Sequence, residues 1–254
     1  MTRSSRPRIS KHLHHHRIRK GILAGTVVMT MGVLFSAPAA HAAVPCTVSL
    51  GVTQSDTAVT GTPLPDIIDC SAASPGKTIK GLAGDDTITG TAFNDKIDGG
   101  LGNDTITSGP VVSVGADTVI GGAGNDTMTG AGGNDSLTGG VGNDTMTGGE
   151  GVDTLNGGDH NDTLTGSAGN DSLTGGGGDD ILNGGSENDL LNGGLGNDIL
   201  NGDSGIDRIN GDAGDDALFG HSADGSVDFL NGGKGTDLCQ GPAPDGDVLT
   251  NCNP

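Results

Sequence analysis

GGAGNDTMT, GAGGNDSLT, GGVGNDTMT and GGEGVDTLN, residues Gly121 to Asn156, open a stretch that runs to Phe219 and divides into eleven nonapeptides without remainder. Numbering each unit 1 to 9, position 1 is always Gly and position 6 always Asp. Position 8 is always apolar: Met128, Leu137, Met146, Leu155, Leu164, Leu173, Leu182, Leu191, Leu200, Ile209 and Leu218. Position 4 is Gly except at His160 and Glu187. A fixed period of this kind is the mark of a repeat architecture and governs how every local motif is read.

Three glycines in positions 1 to 6 lose too much backbone entropy for a helix or strand and suit a tight turn with several positive φ angles. Positions 7 to 9 (Thr-Leu-Thr, Ser-Leu-Thr, Ile-Leu-Asn) read as a three-residue strand with one apolar side chain facing inward. One apolar residue in nine makes no core alone. Stacked units align their position-8 side chains into a thin continuous strip, so the expected fold is an all-β solenoid with two nonapeptides per turn.

Stacking also piles up the position-6 carboxylates at intervals of about 4.8 Å. Arg208 is the only lysine or arginine between Gly121 and Phe219. Such a column requires hard cations with oxygen ligands. Ca²⁺ accepts six to eight oxygens in flexible geometry, whereas Mg²⁺ demands a stricter octahedron. A disordered glycine-rich linker is allowed by composition, but the strict phase and unbroken apolar position argue against it.

These residues resemble the glycine-rich calcium-binding repeat of the RTX (hemolysin-type) family, with its GGxGxDxUx signature. The resemblance implies a parallel β-roll with calcium held between same-side turns by the position-6 Asp and turn carbonyls. It places ligands at Asp126, Asp135, Asp144, Asp153, Asp162, Asp171, Asp180, Asp189, Asp198, Asp207 and Asp216. Flanking units carry Asp86, Asp95, Asp104, Asp117, Asp228 and Asp237 at the same position. His160 and Glu187 stand where the pattern expects Gly. Alternating units give columns of six and five turns, hence about nine ions from the central block and roughly 10–16 with the flanks.

Upstream, residues 1–42 read as a targeting segment. Arg3, Arg6, Arg8, Lys11, Arg17, Arg19 and Lys20 precede an apolar run, Gly21 to Ser36, that is short for a membrane span, and Ala40-His41-Ala42 offers a cleavage site after Ala42. Secretion through the general pathway, with no membrane span in the mature chain, is the expectation. The rest of the chain keeps five lysines and arginines against 32 acids, all Asp except Glu150 and Glu187. That balance excludes nucleic acid as a partner, since phosphate binding needs the opposite sign. It leaves calcium ions and an unidentified cell-surface or protein partner.

Residues 43–80 read as an N-terminal cap in which Gly61 to Asp69 keeps the register through Asp66 and Ile68. Repeats run over 81–240, and 241–254 closes the other end. Ser108 to Ile120 is one unit with four extra residues, expected to loop out on the turn side. Cys46 and Cys70 lie near one end, Cys239 and Cys252 near the other. Three pairings are possible. The local pair Cys46–Cys70 and Cys239–Cys252 is expected, because the others require the two ends to meet.

No catalytic motif survives. Gly202-Asp203-Ser204-Gly205 falls on repeat positions 1 to 4, Gly220-His221-Ser222-Ala223-Asp224 lacks the last Gly of a nucleophile elbow, and H-E-x-x-H is absent. The reading is a non-catalytic, secreted calcium-binding module of structural or interaction type. The alternatives are an accessory module of a secreted enzyme or toxin system, and an ordered-surface or ice binder. The last rests on Thr87/Thr89, Thr105/Thr107, Thr127/Thr129, Thr145/Thr147 and Thr163/Thr165, which fall on alternate units if the phase survives the insertion.

Overall fold

Among the described residues, two largely parallel sheets, one of 11 strands and one of 12, share the chain by alternation from Ala58–Thr60 onward, so that consecutive units fall on opposite sides. The computed structural model describes residues 45–110, 113–220, 226–240 and 246–253. The expected targeting segment 1–42 lies outside them. From Ala58–Thr60 onward, strands one full turn apart pair in parallel. In the 11-stranded sheet Thr127 stands opposite Thr145, Met128 opposite Met146 and Thr129 opposite Thr147. In the 12-stranded sheet Leu137 lies between Val119 and Leu155.

The position-8 side chains form the core as a single file between the sheets. Ile88, Ile106, Met128, Met146, Leu164, Leu182, Leu200 and Leu218 come from one sheet. Ile79, Ile97, Val119, Leu137, Leu155, Leu173, Leu191, Ile209 and Leu230 come from the other. All are at most 2% exposed. The alternating burial of each strand, as in Ser136–Val141, follows from the period-2 pleat.

The strands are longer than glycine propensity suggests. Those of the central repeats run six residues, as in Thr127–Gly132, Ser136–Val141 and Leu190–Leu195, and include positions 1 to 3 of the following unit. The expectation of a three-residue strand and a six-residue turn is corrected accordingly. Identical backbones above and below pair with the chain as it rounds the corner. Gly140 thus stays in register with Gly122 and Gly158 although its φ is +119°. Neighbouring layers supply the hydrogen bonds that glycine's entropy would otherwise forfeit.

The insertion in Ser108–Ile120 leaves the ladder in phase: Thr105 pairs with Thr127, and Lys96 with Thr118. The five Thr-x-Thr rungs therefore lie consecutively in the 11-stranded sheet, and the row continues with Ile181 and Asn183. At the N-terminal end the pairing turns antiparallel, Thr47–Val48 against Ile67–Asp69 and Thr53–Gln54 against Ala58–Thr60. Disulfides join Cys46 to Cys70 and Cys239 to Cys252, the local pairing. Val248–Thr250 is the last strand of the 12-stranded sheet, stacked on Phe229–Asn231.

Candidate metal centres

Every position-6 carboxylate points inward at the turn, and the turns stack in two columns. One contains Asp66, Asp86, Asp104, Asp126, Asp144, Asp162, Asp180, Asp198, Asp216 and Asp237. The other contains Asp95, Asp117, Asp135, Asp153, Asp171, Asp189, Asp207, Asp228 and Asp247. All the sequence-derived candidates are in these columns. Asp247 is an addition, and the D-x-L-T of Asp247 to Thr250 was the signal for it.

The two carboxylate oxygens have different roles. Oδ1 accepts the backbone N–H of the Asp one layer nearer the N-terminus: Asp126 donates to Asp144 and Asp144 to Asp162, both at 2.7 Å. The backbone C=O of the same Asp accepts the position-7 N–H of the next layer, as from Thr145 to Asp126 at 2.8 Å. This fixes each carboxylate as a structural strut. Oδ2 is buried and has no hydrogen-bond partner at Asp126, Asp144, Asp162 and Asp180 in one column and Asp135, Asp153, Asp171 and Asp189 in the other. A buried anionic oxygen left unpaired is costly, and here it recurs at every layer of the array's middle.

The space facing Oδ2 is lined with oxygen. A methyl group built on Gly139 would lie 2.2 Å from Asp144 Oδ2 and 2.5 Å from the Gly157 carbonyl oxygen. Gly157 repeats this with Asp162 at 2.2 Å and Gly175 at 2.6 Å, and Gly175 with Asp180 at 2.3 Å and Gly193 at 2.7 Å. Position 1 is Gly because any side chain would fill this cradle. Among the described residues no three His, Cys, Asp or Glu side chains converge on one point, so a cation here takes most of its ligands from the main chain. Hard oxygen donors in flexible number fit Ca²⁺.

Electrostatics point the same way. Burial raises the Asp135, Asp162, Asp189 and Asp198 carboxyls to about 7, against the hydrogen bonds from the preceding backbone amides, and the neighbouring carboxylates push in the same direction. Asp86, Asp126 and Asp153 rise to about 6, again chiefly through burial. At neutral pH the bare columns resist ionisation, and a positive charge would relieve them.

Asp66 and Asp95 stand apart. Asp66 Oδ2 accepts the Thr62 N–H at 2.6 Å and its Oδ1 accepts the Ser49 hydroxyl at 2.8 Å. Asp95 Oδ2 accepts the Thr91 N–H at 2.6 Å, while its Oδ1 takes the Thr91 hydroxyl at 3.2 Å and the Lys77 N–H. Both units carry Thr at position 2. In other units that position takes positive φ even when it is not Gly, as at Leu82, Ala131 and Ser167, and Asp86, Asp135 and Asp171 in those units keep Oδ2 unpaired. β-Branched Thr resists the left-handed region, so its amide turns toward the carboxylate and closes the turn.

His160 and Glu187 fit at position 4 with φ of +81° and +74°. Glu187 caps the Gly169 N–H at 2.9 Å and adds a negative charge beside Asp171 and Asp189. The position-5 side chains form a separate outer ladder, with Asn125 Oδ1 accepting from Asn143 N–H at 2.9 Å and Asn143 Oδ1 from Asn161 at 3.1 Å. Of the two serine motifs, Ser204 ends the strand Ile199–Ser204 and residues 221–225 lie outside the described residues.

An all-β roll with a glycine-cradled carboxylate column in each row of turns defines the class of repeat-built, cation-binding solenoids. The chain matches the family model of the RTX calcium-binding nonapeptide repeat (4 copies) over residues 80–110, 113–146, 129–159, 138–173, 156–191 and 192–227. It belongs to that family. No curated protein matches the chain.

Proposed function

We propose that the chain is a secreted, non-catalytic module that folds when Ca²⁺ enters the two carboxylate columns and then serves as an extracellular structural or interaction element. The observation that carries this reading is the file of buried, unpartnered Oδ2 atoms facing glycine cradles. Calcium would neutralise adjacent carboxylates and link successive turns. Asp126, Asp135, Asp144, Asp153, Asp162, Asp171, Asp180, Asp189 and Asp198 would hold it, with Asp86, Asp104, Asp117, Asp207, Asp216, Asp228 and Asp237 extending the columns. One apolar side chain per unit is set against a backbone entropy of about 1–2 kcal/mol for every residue, so the ion is needed for the roll to form. Residues 1–42 would direct export, 43–80 and 241–254 would close the ends of the repeats at 81–240, and the two disulfides suit an oxidising compartment.

The test is far-UV circular dichroism of the mature protein in EDTA and in millimolar calcium, with ion stoichiometry by native mass spectrometry. The expected result is a chelator-sensitive β spectrum and roughly 10–16 ions. Identical spectra, or two or three ions, would overturn the reading. Co-purification from culture medium with one enzyme or toxin would favour the accessory role instead.

The unbroken register of the Thr-x-Thr rungs favours one further use. Five rungs about 4.8 Å apart form a regular hydroxyl-bearing outer face from Thr87 to Thr165. Such a face could bind an ordered surface such as ice. Inhibition of ice recrystallisation by the calcium-loaded protein, lost in Thr127→Lys with Thr145→Lys, would support it. No inhibition by the parent protein leaves the row as β-branched strand chemistry.

A further inference from the structure

Residues 72–80 are a hidden repeat unit in which Lys replaces the position-6 Asp. The register shows this: Thr78 pairs with Lys96, Ile79 with Ile97 and Lys80 with Asp98, so Ile79 occupies position 8 and Lys77 position 6. Ile79 is fully buried in the core file. The Lys77 backbone N–H donates to Asp95 Oδ1 just as Asp95 donates to Asp117 at 2.7 Å. Lys77 therefore heads the second column.

Its side chain is unusual for its type. Lys77 is only 3% exposed, and lysines are almost never fully buried unless partnered. Its Nζ donates to the Asp56 carbonyl in the layer before, and its backbone N–H to the Asp95 carboxylate in the layer after. A buried ammonium thus stands at the head of the column whose later layers offer cradles to a metal ion. In the neighbouring column Asp66 has no open oxygen either, being filled by Thr62 and Ser49. The same end carries the antiparallel strand pairs and the Cys46–Cys70 disulfide.

We propose that the N-terminal end of the roll is a metal-independent template. The Lys77 ammonium and the hydrogen bonds of Ser49, Thr62 and Thr91 replace calcium in the first layers, which fold without the ion and present in-register edges on which the loaded repeats assemble. This rests on the calcium reading of the repeats but concerns a different part of the chain. Assembly then has a direction, from Val59 and Ile68 toward the C-terminus, and its first step requires no calcium.

Hydrogen exchange read by mass spectrometry tests this on the mature chain with both disulfides intact. In EGTA, amides of the strands from Ala58 to Lys80 should exchange at least ~10-fold more slowly than those of 127–219, and in millimolar calcium both regions should be protected. Lys77→Met should abolish the chelator-resistant protection of 58–80 yet keep the calcium-induced protection of 127–219, and Lys77→Arg should retain both. Uniform fast exchange of the parent chain in EGTA would overturn the template. Undiminished protection in Lys77→Met would overturn the role of the lysine. Failure of 127–219 to gain protection in calcium would instead remove the calcium reading and leave the template to be judged on the EGTA arm alone.

Discussion

Asp95 and Asp171 occupy the same place in the same column, four layers apart, and their surroundings are opposite. Asp95 has both oxygens engaged by protein donors, from Thr91 and Lys77. Asp171 has one engaged by the Asp153 N–H at 2.8 Å and one buried without a partner. The difference comes from position 2 of the unit. Thr91 keeps an ordinary φ and turns its amide onto the carboxylate, whereas Ser167, at φ +89°, does not. In these two turns the signature fixes where the carboxylate stands, and the backbone hand two residues into the turn decides whether that carboxylate still needs a cation.

Filling the cradle should give the largest effect. Gly139→Ala places a methyl against Asp144 Oδ2 and the Gly157 carbonyl. It should cost about 1–3 kcal/mol from overpacking alone, displace the ion beside Asp144, and raise the calcium midpoint of folding in a circular-dichroism titration. An unchanged midpoint would mean that the cradle is not an ion site.

Carboxylate deletions should then separate the two regions. Asp171→Ala is expected to raise the calcium midpoint several-fold and reduce cooperativity, because its turn faces neighbours on both sides, and Asp237→Ala near the end should do less. Asp95→Ala should leave the midpoint nearly alone but expose the buried Lys77 and Thr91 donors, costing the N-terminal layers about 1–3 kcal/mol in chelator. Equal behaviour of the Asp95 and Asp171 variants in both conditions would erase the distinction.

Acidity should act oppositely with and without the ion. Asp135, Asp162, Asp189 and Asp198 have folded-state pKa values raised to about 7, above the unfolded value near 3.9. Protonation therefore favours the metal-free roll, a contribution fully present below about pH 4 and lost as pH rises through about 7. In EDTA, β content should increase on going from pH 7.5 to 5. In calcium the same protons compete, so the midpoint should rise over that interval. A pH-independent midpoint between 5 and 7.5 would contradict burial as the cause.

The smallest effect is expected where a glycine has no task. Nothing lies within 4 Å of a Cβ added at Gly177, and this position-3 residue has no positive φ. Gly177→Ala should be neutral or gain about 0.4–1 kcal/mol by restricting the unfolded chain. A large loss there would show that glycine content itself, rather than position, matters.

Much of this was legible in the residues. The position-8 file from Ile88 to Leu218 and the position-6 Asp series follow from phase alone, and the phase carried through Ser108–Ile120. The unit at 72–80 was not legible, because Lys77 stands where the signature requires Asp and Ala72 where it requires Gly. Glycine propensity understated the strands, since pairing with identical neighbours is a tertiary effect that no single unit contains. Nor did the sequence distinguish Thr91 from Leu82 at position 2: only the backbone shows that leucine takes φ +88° there.

The alternation of units between two sheets imposes a parity rule on any change of length. Inserting or deleting two units lengthens or shortens the roll by one layer and keeps every later side chain on its original face. Changing it by one unit transfers everything downstream to the opposite face. The Thr row of Thr127, Thr145 and Thr163 would then continue across the roll from Thr87 and Thr105, and each carboxylate column would be spliced onto the other. Unequal recombination within such a gene is therefore neutral to the surface pattern only in steps of eighteen residues, the spacing of the ladder itself.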